Sequence, residues 1–387
     1  MMLSGARIAI SASDAVQADI SISGRYIRFG GTGLARAVDM HGFLILPGLI
    51  NAHDHLEFNL FPRLGGRRYR NATEWAADIY HPEQAPLKQH LQIPKPVRLL
   101  WGGLKNLLAG VTSVSHHNPY NAAVFEHRYP VRVIRRFGWA HSLKFCSNVG
   151  ERFRETPRDA PFLIHAGEGS DDEARRELHR LDEKGALGPS TVIIHGVALQ
   201  KEEICLLKAR GSSVVWCPSS NHFILGKTLS TEVLQSGIPV ALGNDSALTA
   251  EGDFLDELAA ARRHTDVCRL YEMVTEKAAR IFQLNSGEGS IREGGVADLV
   301  IVRDEGQSPA EALLFLRPEL VMVNGEIKLL SFRMAARFKL RNMTRFEAIS
   351  VEGRGRSFVD FPVASAKGQA IKHLGDDLRL AGKQIAV

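Results

Sequence analysis

Residues 46–56 read Leu46-Pro-Gly-Leu-Ile-Asn-Ala-His53-Asp-His55-Leu56. The apolar run 48–52 predicts a buried strand closed by a His-x-His pair. Strand side chains alternate between faces, so His53 and His55 share one. Alone the pair decides nothing, since two histidines on one strand face are as readily core or surface groups. The other apolar runs decide it. Phe162-Leu-Ile-His165-Ala-Gly-Glu168 ends one strand, Val192-Ile-Ile-His195 the next, and Val240-Ala-Leu-Gly-Asn-Asp245 the last. Four apolar strands that each finish in a potential metal ligand point to a parallel barrel, whose strand ends open on one rim where catalytic groups gather. Three imidazoles and a carboxylate converging there suit one Zn2+ or a similar borderline ion with room for water.

Outward from these strands, apolar runs at 48–52, 111–115, 162–164, 191–194, 213–216 and 239–242 alternate with helical stretches. One such stretch is 171–184, with Ala174, Leu178 and Leu181 at helical spacing. Alternation over about 240 residues predicts an α/β fold, a TIM-type (β/α)8 barrel over 46–287. Between Val114 and Pro161 only residues 138–143 read as a strand, and a second expected strand is hard to place, so the barrel is compressed or distorted there. The first 45 residues read as short strands, among them 18–23 and 26–29. After the helical 253–284, residues 297–302 and 320–323 read as strands again, with 346–351 and 357–363 as further candidates. Residues 1–45 and 288–387 are therefore expected to form one small β-sandwich domain, because 45 residues are too few for a core of their own.

Composition bounds the function. Hydrophobic residues are 44% and charged residues 24%, an ordinary globular balance. The longest apolar runs, such as 43–50, fall far short of the ~20 residues of a membrane span, and residues 1–15 lack the pattern of a signal peptide. None of the four cysteines (Cys146, Cys205, Cys217, Cys268) sits in a C-x-x-C pair, which argues against a cysteine-built zinc site or a disulfide scaffold. A reduced, cytoplasmic, soluble protein is expected. The net charge of +5 is concentrated in residues 331–387, where 11 Lys/Arg face 5 Asp/Glu. Those basic residues (Arg333, Arg337, Lys339, Arg341, Arg345) are dispersed among apolar ones, unlike the dense patch of a nucleic-acid footprint.

The chain resembles the amidohydrolase superfamily, in its branch of nucleobase deaminases and triazine hydrolases. The resemblance rests on residues 46–56, Ile164-His-Ala-Gly-Glu168, Ile194-His-Gly-Val-Ala-Leu199, Trp216-Cys-Pro-Ser-Ser-Asn221, Leu242-Gly-Asn-Asp-Ser246 and Gly289-Ser-Ile-Arg-Glu-Gly-Gly-Val-Ala-Asp-Leu-Val300, and runs from about residue 38 to 325. It implies that His53, His55, His165 and Asp245 hold one divalent metal ion, Zn2+ first and Fe2+ as the other candidate. It also implies that Glu168 shuttles protons, that Asp245 takes a proton from the attacking water, and that His195 contacts substrate or hydrogen-bonds a developing oxyanion. The implied activity is hydrolytic deamination of a nitrogen heterocycle. Hydrolysis of a cyclic amide or carbon–halogen bond on the same site is the alternative within enzymes. A catalytically inactive scaffold is the alternative outside them, although none of the six positions is lost. The expected partner is a small heterocyclic substrate, with a homodimer allowed for and neither nucleic acid nor membrane.

A two-metal site bridged by a carboxylated lysine would need Lys144, after the strand at 138–143, but Glu168 three residues past His165 belongs to the one-metal pattern. The H-x-E…P-C-x-x-C signature of another class of zinc deaminases is absent. Weaker substrate-binding candidates are Glu57, which continues the alternation of His53 and His55, Arg63 in a loop, one of His116 and His117, His141, and Asn221, for which helix capping is the first expectation and pocket lining the second.

Overall fold

The computed structural model describes residues 1–30, 37–338, 343–376 and 378–387; Lys339 and Arg341 of the basic tail lie outside them. Its centre is a barrel of parallel strands in two arcs. Leu49–Asp54, Val111–His116 and Arg132–Val133 form one, and Gly138–Ser142, Phe162–Ala166, Thr191–His195, Ser213–Trp216 and Val240–Leu242 the other. The arcs meet on one side at a parallel bridge between Asp54 and Asp245.

The strand that was hard to place is Arg132–Val133. It pairs Ser113 and Val114 over two residues, too little apolar sequence to announce itself. Only four residues separate it from Gly138–Ser142, far fewer than the dozen or more a helical crossover needs. One strand–helix repeat is thus collapsed, which is the distortion. Elsewhere the sequence places the helices. Asp171 caps Asp172–Glu183 by accepting from the Ala174 N–H, and the buried stripe Ala174, Leu178, Leu181 faces the sheet. The expected continuous helix over 253–284 is three helices, Phe254–Ala261, Val267–Met273 and Glu276–Ile281, the second capped by Asp266.

Both ends of the chain enter a single 12-stranded sheet. Its unforeseen first strand, Met2–Ala9, pairs Ala15–Ser23 and Phe43–Pro47, and Phe43–Pro47 in turn pairs Leu299–Arg303 in antiparallel register, Pro47 opposite Leu299. The sheet curls back until Tyr26 bridges Val296. Its period-2 pattern is apolar on both faces: Phe43, Ile45, Leu299, Ile301, Leu320 and Met322 line an inner core closed by Met334 and Phe338, while Leu44, Leu46, Val300, Val302, Val321 and Val323 join the main core with the barrel helices. The tail continues the sheet through Glu347–Val351 and Gly355–Val359. The expected strand over 357–363 stops at Val359, and Val363–Leu374 is a helix whose buried Val363, Ala366 and Ala370 pack on the barrel helix Lys95–Leu108. Several tail cations are paired, Arg345 with Asp360 and Arg354 with Asp253. Among the described residues no helix is long and apolar enough to cross a membrane.

Candidate metal centre

The strand ends bring His53, His55 and His165 together, with ligand atoms within 4.8 Å of one another. His53 Nε2 lies 3.2 Å from His165 Nε2. Asp245 Oδ1 lies 3.6 Å from His53 Nε2 and 3.7 Å from His55 Nε2. The other carboxylate oxygen is committed elsewhere, accepting from Ser220 Oγ at 2.6 Å and Thr249 Oγ1 at 2.9 Å, so one free oxygen faces the imidazoles.

Electrostatics fits this set to a cation. Burial, then the neighbouring His53, brings His55 down to about 3. Burial and the surrounding histidines hold His165 well below the ordinary imidazole range. Both rings are therefore neutral at physiological pH. His165 Nδ1 lies 2.8 Å from the His141 carbonyl, which places its proton on Nδ1 and a lone pair on Nε2, toward His53. Burial works to raise Asp245, but the neighbouring His53 and His195 outweigh it and keep the carboxylate well below its usual range. Imidazole nitrogens aimed at each other beside an ionised carboxylate suit a divalent ion.

Glu168 and His195 adjoin this centre. Burial, then the nearby carboxylates Asp245 and Glu177, pushes Glu168 well above the ordinary carboxyl range, so it holds a proton where an exposed glutamate would not. Its Oε1 is 3.4 Å from His195 Nε2. His195, brought down to about 4 chiefly by burial, places its Nδ1 2.8 Å from Asn221 Oδ1. The neutral ring thus carries its proton on Nδ1, leaving Nε2 as an acceptor. An oxyanion hydrogen bond from Nε2, as expected from the sequence, becomes available only after that nitrogen is protonated. His195 (φ 77°) and Asp245 (φ 58°) both adopt the left-handed region, sparsely populated by non-glycine residues and often found at functional sites.

The remaining candidates divide. His117 turns inward: its ring centroid is 4.2 Å from that of His165 and its Nε2 lies 3.1 Å from the Ala140 carbonyl. His116 turns away, because its Nδ1 accepts from the Leu56 N–H and its Nε2 faces Glu57 at 3.5 Å. Glu57 is buried behind His55, paired to Lys95 at 3.2 Å and bonded by Asn118 Nδ2 at 3.0 Å; the Asn118 amide also lies 3.3 Å from His55 Nδ1. His141 sits at the mouth, its ring 4.8 Å from His165 and 5.1 Å from the exposed Phe145. Arg63 is on the surface, 3.7 Å from Glu251 and stacked on Phe223. Asn221 is not a cap, since Cys217 holds that position in its helix; its side chain orients His195. Lys144 is exposed and two residues beyond its strand. Sequence reading missed Ser220 and Thr249, and also the buried Lys105, whose signal was a lysine in helical register with the apolar Trp101 and Leu108.

Residues 157–328 match the amidohydrolase family. A 5-methylthioadenosine/S-adenosylhomocysteine deaminase of Thermococcus sibiricus is 26% identical over 357 residues, covering 74% of this chain and 81% of the relative. A protein of the same name from Halobacterium salinarum is 25% identical over 422 residues, 93% of each chain. Among solved structures, atrazine chlorohydrolase TrzN from Arthrobacter aurescens complexed with zinc aligns with a TM-score of 0.67 at 18% identity, covering 84% of this chain and 94% of that one. An adenosine deaminase from Xanthomonas campestris with bound zinc aligns at 0.66 and 18% identity, covering 96% and 97%. The architecture is shared with both.

Proposed function

From a chain that carries an amidohydrolase-family domain over residues 157–328, we propose a metal-dependent hydrolase that removes an exocyclic amino group from a nitrogen heterocycle and releases ammonia. The observation that carries this reading is geometric: His53, His55 and His165 bring their ligand atoms within 4.8 Å of one another, an Asp245 oxygen lies 3.6 and 3.7 Å from two of them, and the buried Glu168 stands beside them 3.4 Å from His195. Hydrolytic deamination needs both, a nucleophilic water and an acid for the ring nitrogen. The named relatives support an aminopurine as the first substrate class to test.

His53, His55, His165 and Asp245 would hold one ion per chain, with Zn2+ the first choice for nitrogen-rich ligands. When bound, such an ion supplies a nucleophilic water at neutral pH, lowering its pKa from about 15.7 toward about 7. Glu168, protonated through burial, gives its proton to the ring nitrogen next to the carbon under attack, which makes that carbon more electrophilic. Two groups can take the proton the water gives up, Asp245 at Oδ1 and His195 at Nε2. Once protonated, His195 still holds its Nδ1–H on Asn221 and can donate from Nε2 to the developing oxyanion. Glu168, now ionised, takes up the proton left on Asp245 or His195 and passes it to the departing ammonia, and the hydroxyl proton of the adduct then restores the protonated Glu168.

The test is elemental analysis followed by an ammonia-release screen over aminopurines, aminopyrimidines, pterins and aminotriazines. Glu168→Gln is expected to keep about one metal ion per chain and to lower kcat by ~10²–10⁴-fold, the usual worth of a positioned proton transfer. A metal-free Glu168→Gln protein would make Glu168 a ligand and refute its role as shuttle. Two ions per chain with Lys144 modified would refute the one-metal reading. Release of halide or ring opening without ammonia would move the reaction to another bond.

A further inference from the structure

The barrel closes at its most demanding point, between the strand bearing His53 and His55 and the one preceding Asp245, with almost no ladder. One bridge joins Asp54 to Asp245, and the N–H groups of Asn244 and Asp245 both donate to the His53 carbonyl, at 2.9 and 3.0 Å. A Cβ at Gly243 would lie 2.6 Å from His53 Cβ, so the strands touch backbone to backbone. Behind the seam is a buried polar cluster that the proposed chemistry does not use. Lys105 is 1% exposed and Asp54 0%. Lys105 Nζ donates to Asn59 Oδ1 and Asn244 Oδ1, both at 2.6 Å, and lies 3.4 Å from Asp54 Oδ2. Asp54 accepts further from Asn59 Nδ2 at 2.7 Å, Asn106 Nδ2 at 2.9 Å and Asn51 Nδ2 at 3.2 Å.

The three acceptors around Lys105 lie on pieces that must keep register: Asp54 stands between His53 and His55, Asn244 precedes Asp245, and Asn59 belongs to the turn after His55. The helix can reach them because it rides close at Gly102, where a Cβ would collide with the Leu56 backbone. A buried ion pair adds little stability over well-packed apolar residues of the same volume, whereas a cation with three acceptors fixes three positions at once. We propose that Lys105 is a positioning residue that sets the separation between the His53/His55 pair and Asp245, and thereby the affinity and geometry of the metal centre.

The proposal rests on the metal reading above, and its test separates the two. Zn2+ affinity is measured by chelator competition and geometry by the d–d absorption of the Co2+ form, in wild type, Lys105→Met and the double variant Lys105→Met/Asp54→Asn. The double variant leaves no buried charge unpaired. Both variants are expected to fold, by circular dichroism and thermal melting, with Zn2+ Kd raised ~10–100-fold, the usual cost of losing an outer-shell partner, and with an altered Co2+ spectrum. A wild type that binds no metal overturns the metal reading. A tightly binding wild type matched by Lys105→Met in affinity and spectrum overturns the positioning role alone. Failure of both variants to fold also overturns it, by assigning the pair to barrel stability.

Discussion

Replacing Asn221 with alanine removes the acceptor that fixes the His195 tautomer. In the native site Asn221 Oδ1 holds Nδ1–H at 2.8 Å, and both residues are buried, at 0% and 1% exposure. Without the amide, that N–H is a buried donor with no partner, a cost of about 1–3 kcal/mol. The ring avoids this by moving its proton to Nε2, where Glu168 Oε1 waits at 3.4 Å. That tautomer cannot accept a proton at Nε2, so each turnover that uses His195 as the base must first restore the other. The same 1–3 kcal/mol then appears in the barrier, and kcat is expected to fall ~5- to 150-fold at about 1.36 kcal/mol per decade. Metal content should not change, since Asn221 is not a ligand. Asn221→Asp keeps an acceptor oxygen and adds a negative charge. It should recover most of kcat and shift the acidic limb of the pH–rate profile upward, because a carboxylate beside the ring stabilises its protonated form. Steady-state kinetics, pH profiles and elemental analysis of the three proteins decide the matter. Wild-type kcat in a metal-loaded Asn221→Ala protein, or parallel loss of metal and activity, would refute the reasoning.

Two further outcomes follow from burial. Glu257, which accepts from the Ser219 N–H at 2.9 Å, is pushed up to about 8 by burial and then by the charge of Asp245. The unfolded chain releases this proton near 4.5 and the folded one near 8, so the associated stability is complete below 4.5 and lost as pH rises through 8, by at most ~5 kcal/mol. In thermal melts across pH, Glu257→Gln should gain on wild type over that window and level off above it; parallel curves would exclude Glu257 as the source. For the shared sheet, we propose that residues 1–45 and 288–387 form one structural unit. Deleting residues 1–40 removes Met2–Ala9, the neighbour of Phe43–Pro47, and with it Leu3, Ile8 and Ile20, and exposes the rest of the inner core, Phe43, Ile45, Leu299 and Ile301 among it. Insoluble protein is expected, and a soluble, active, metal-loaded truncation would dismiss the unit.

What could be read from the sequence was what repeats along it. Ser213–Trp216 and Leu320–Val323 coincide with their apolar runs, because a strand buried in a sheet needs such a run. The histidines and Asp245 were visible because a parallel barrel turns strand ends into a ring. Arg132–Val133 was not, since two paired residues need no pattern. The break at Asp266 was missed because the stretches on either side are both helical, and only the capping aspartate marks the boundary. The role of Asn221, read from the sequence only as a cap or pocket lining, and the place of Lys105 in the site were illegible for a different reason. Their partners, His195, Asn59 and Asn244, lie 26, 46 and 139 positions away, and no local periodicity encodes a contact of that kind.

The antiparallel pairing of Pro47 with Leu299 has a consequence during synthesis. Ribosomes add ~5–20 residues per second, so the nascent Phe43–Pro47 segment waits roughly 10–50 s before its partner strand emerges. Throughout that interval the run Phe43-Leu-Ile-Leu46, fully or almost fully buried in the finished protein, has one unsatisfied edge and two apolar faces in water. The barrel strands are translated while this segment is still incomplete, and a misplaced pairing with any of them would compete with the native one. Yield in a cell is therefore set partly by whatever shields residues 43–47 during elongation, and slowing translation between codons 50 and 300 should lower the soluble fraction without altering the stability of the molecules that finish.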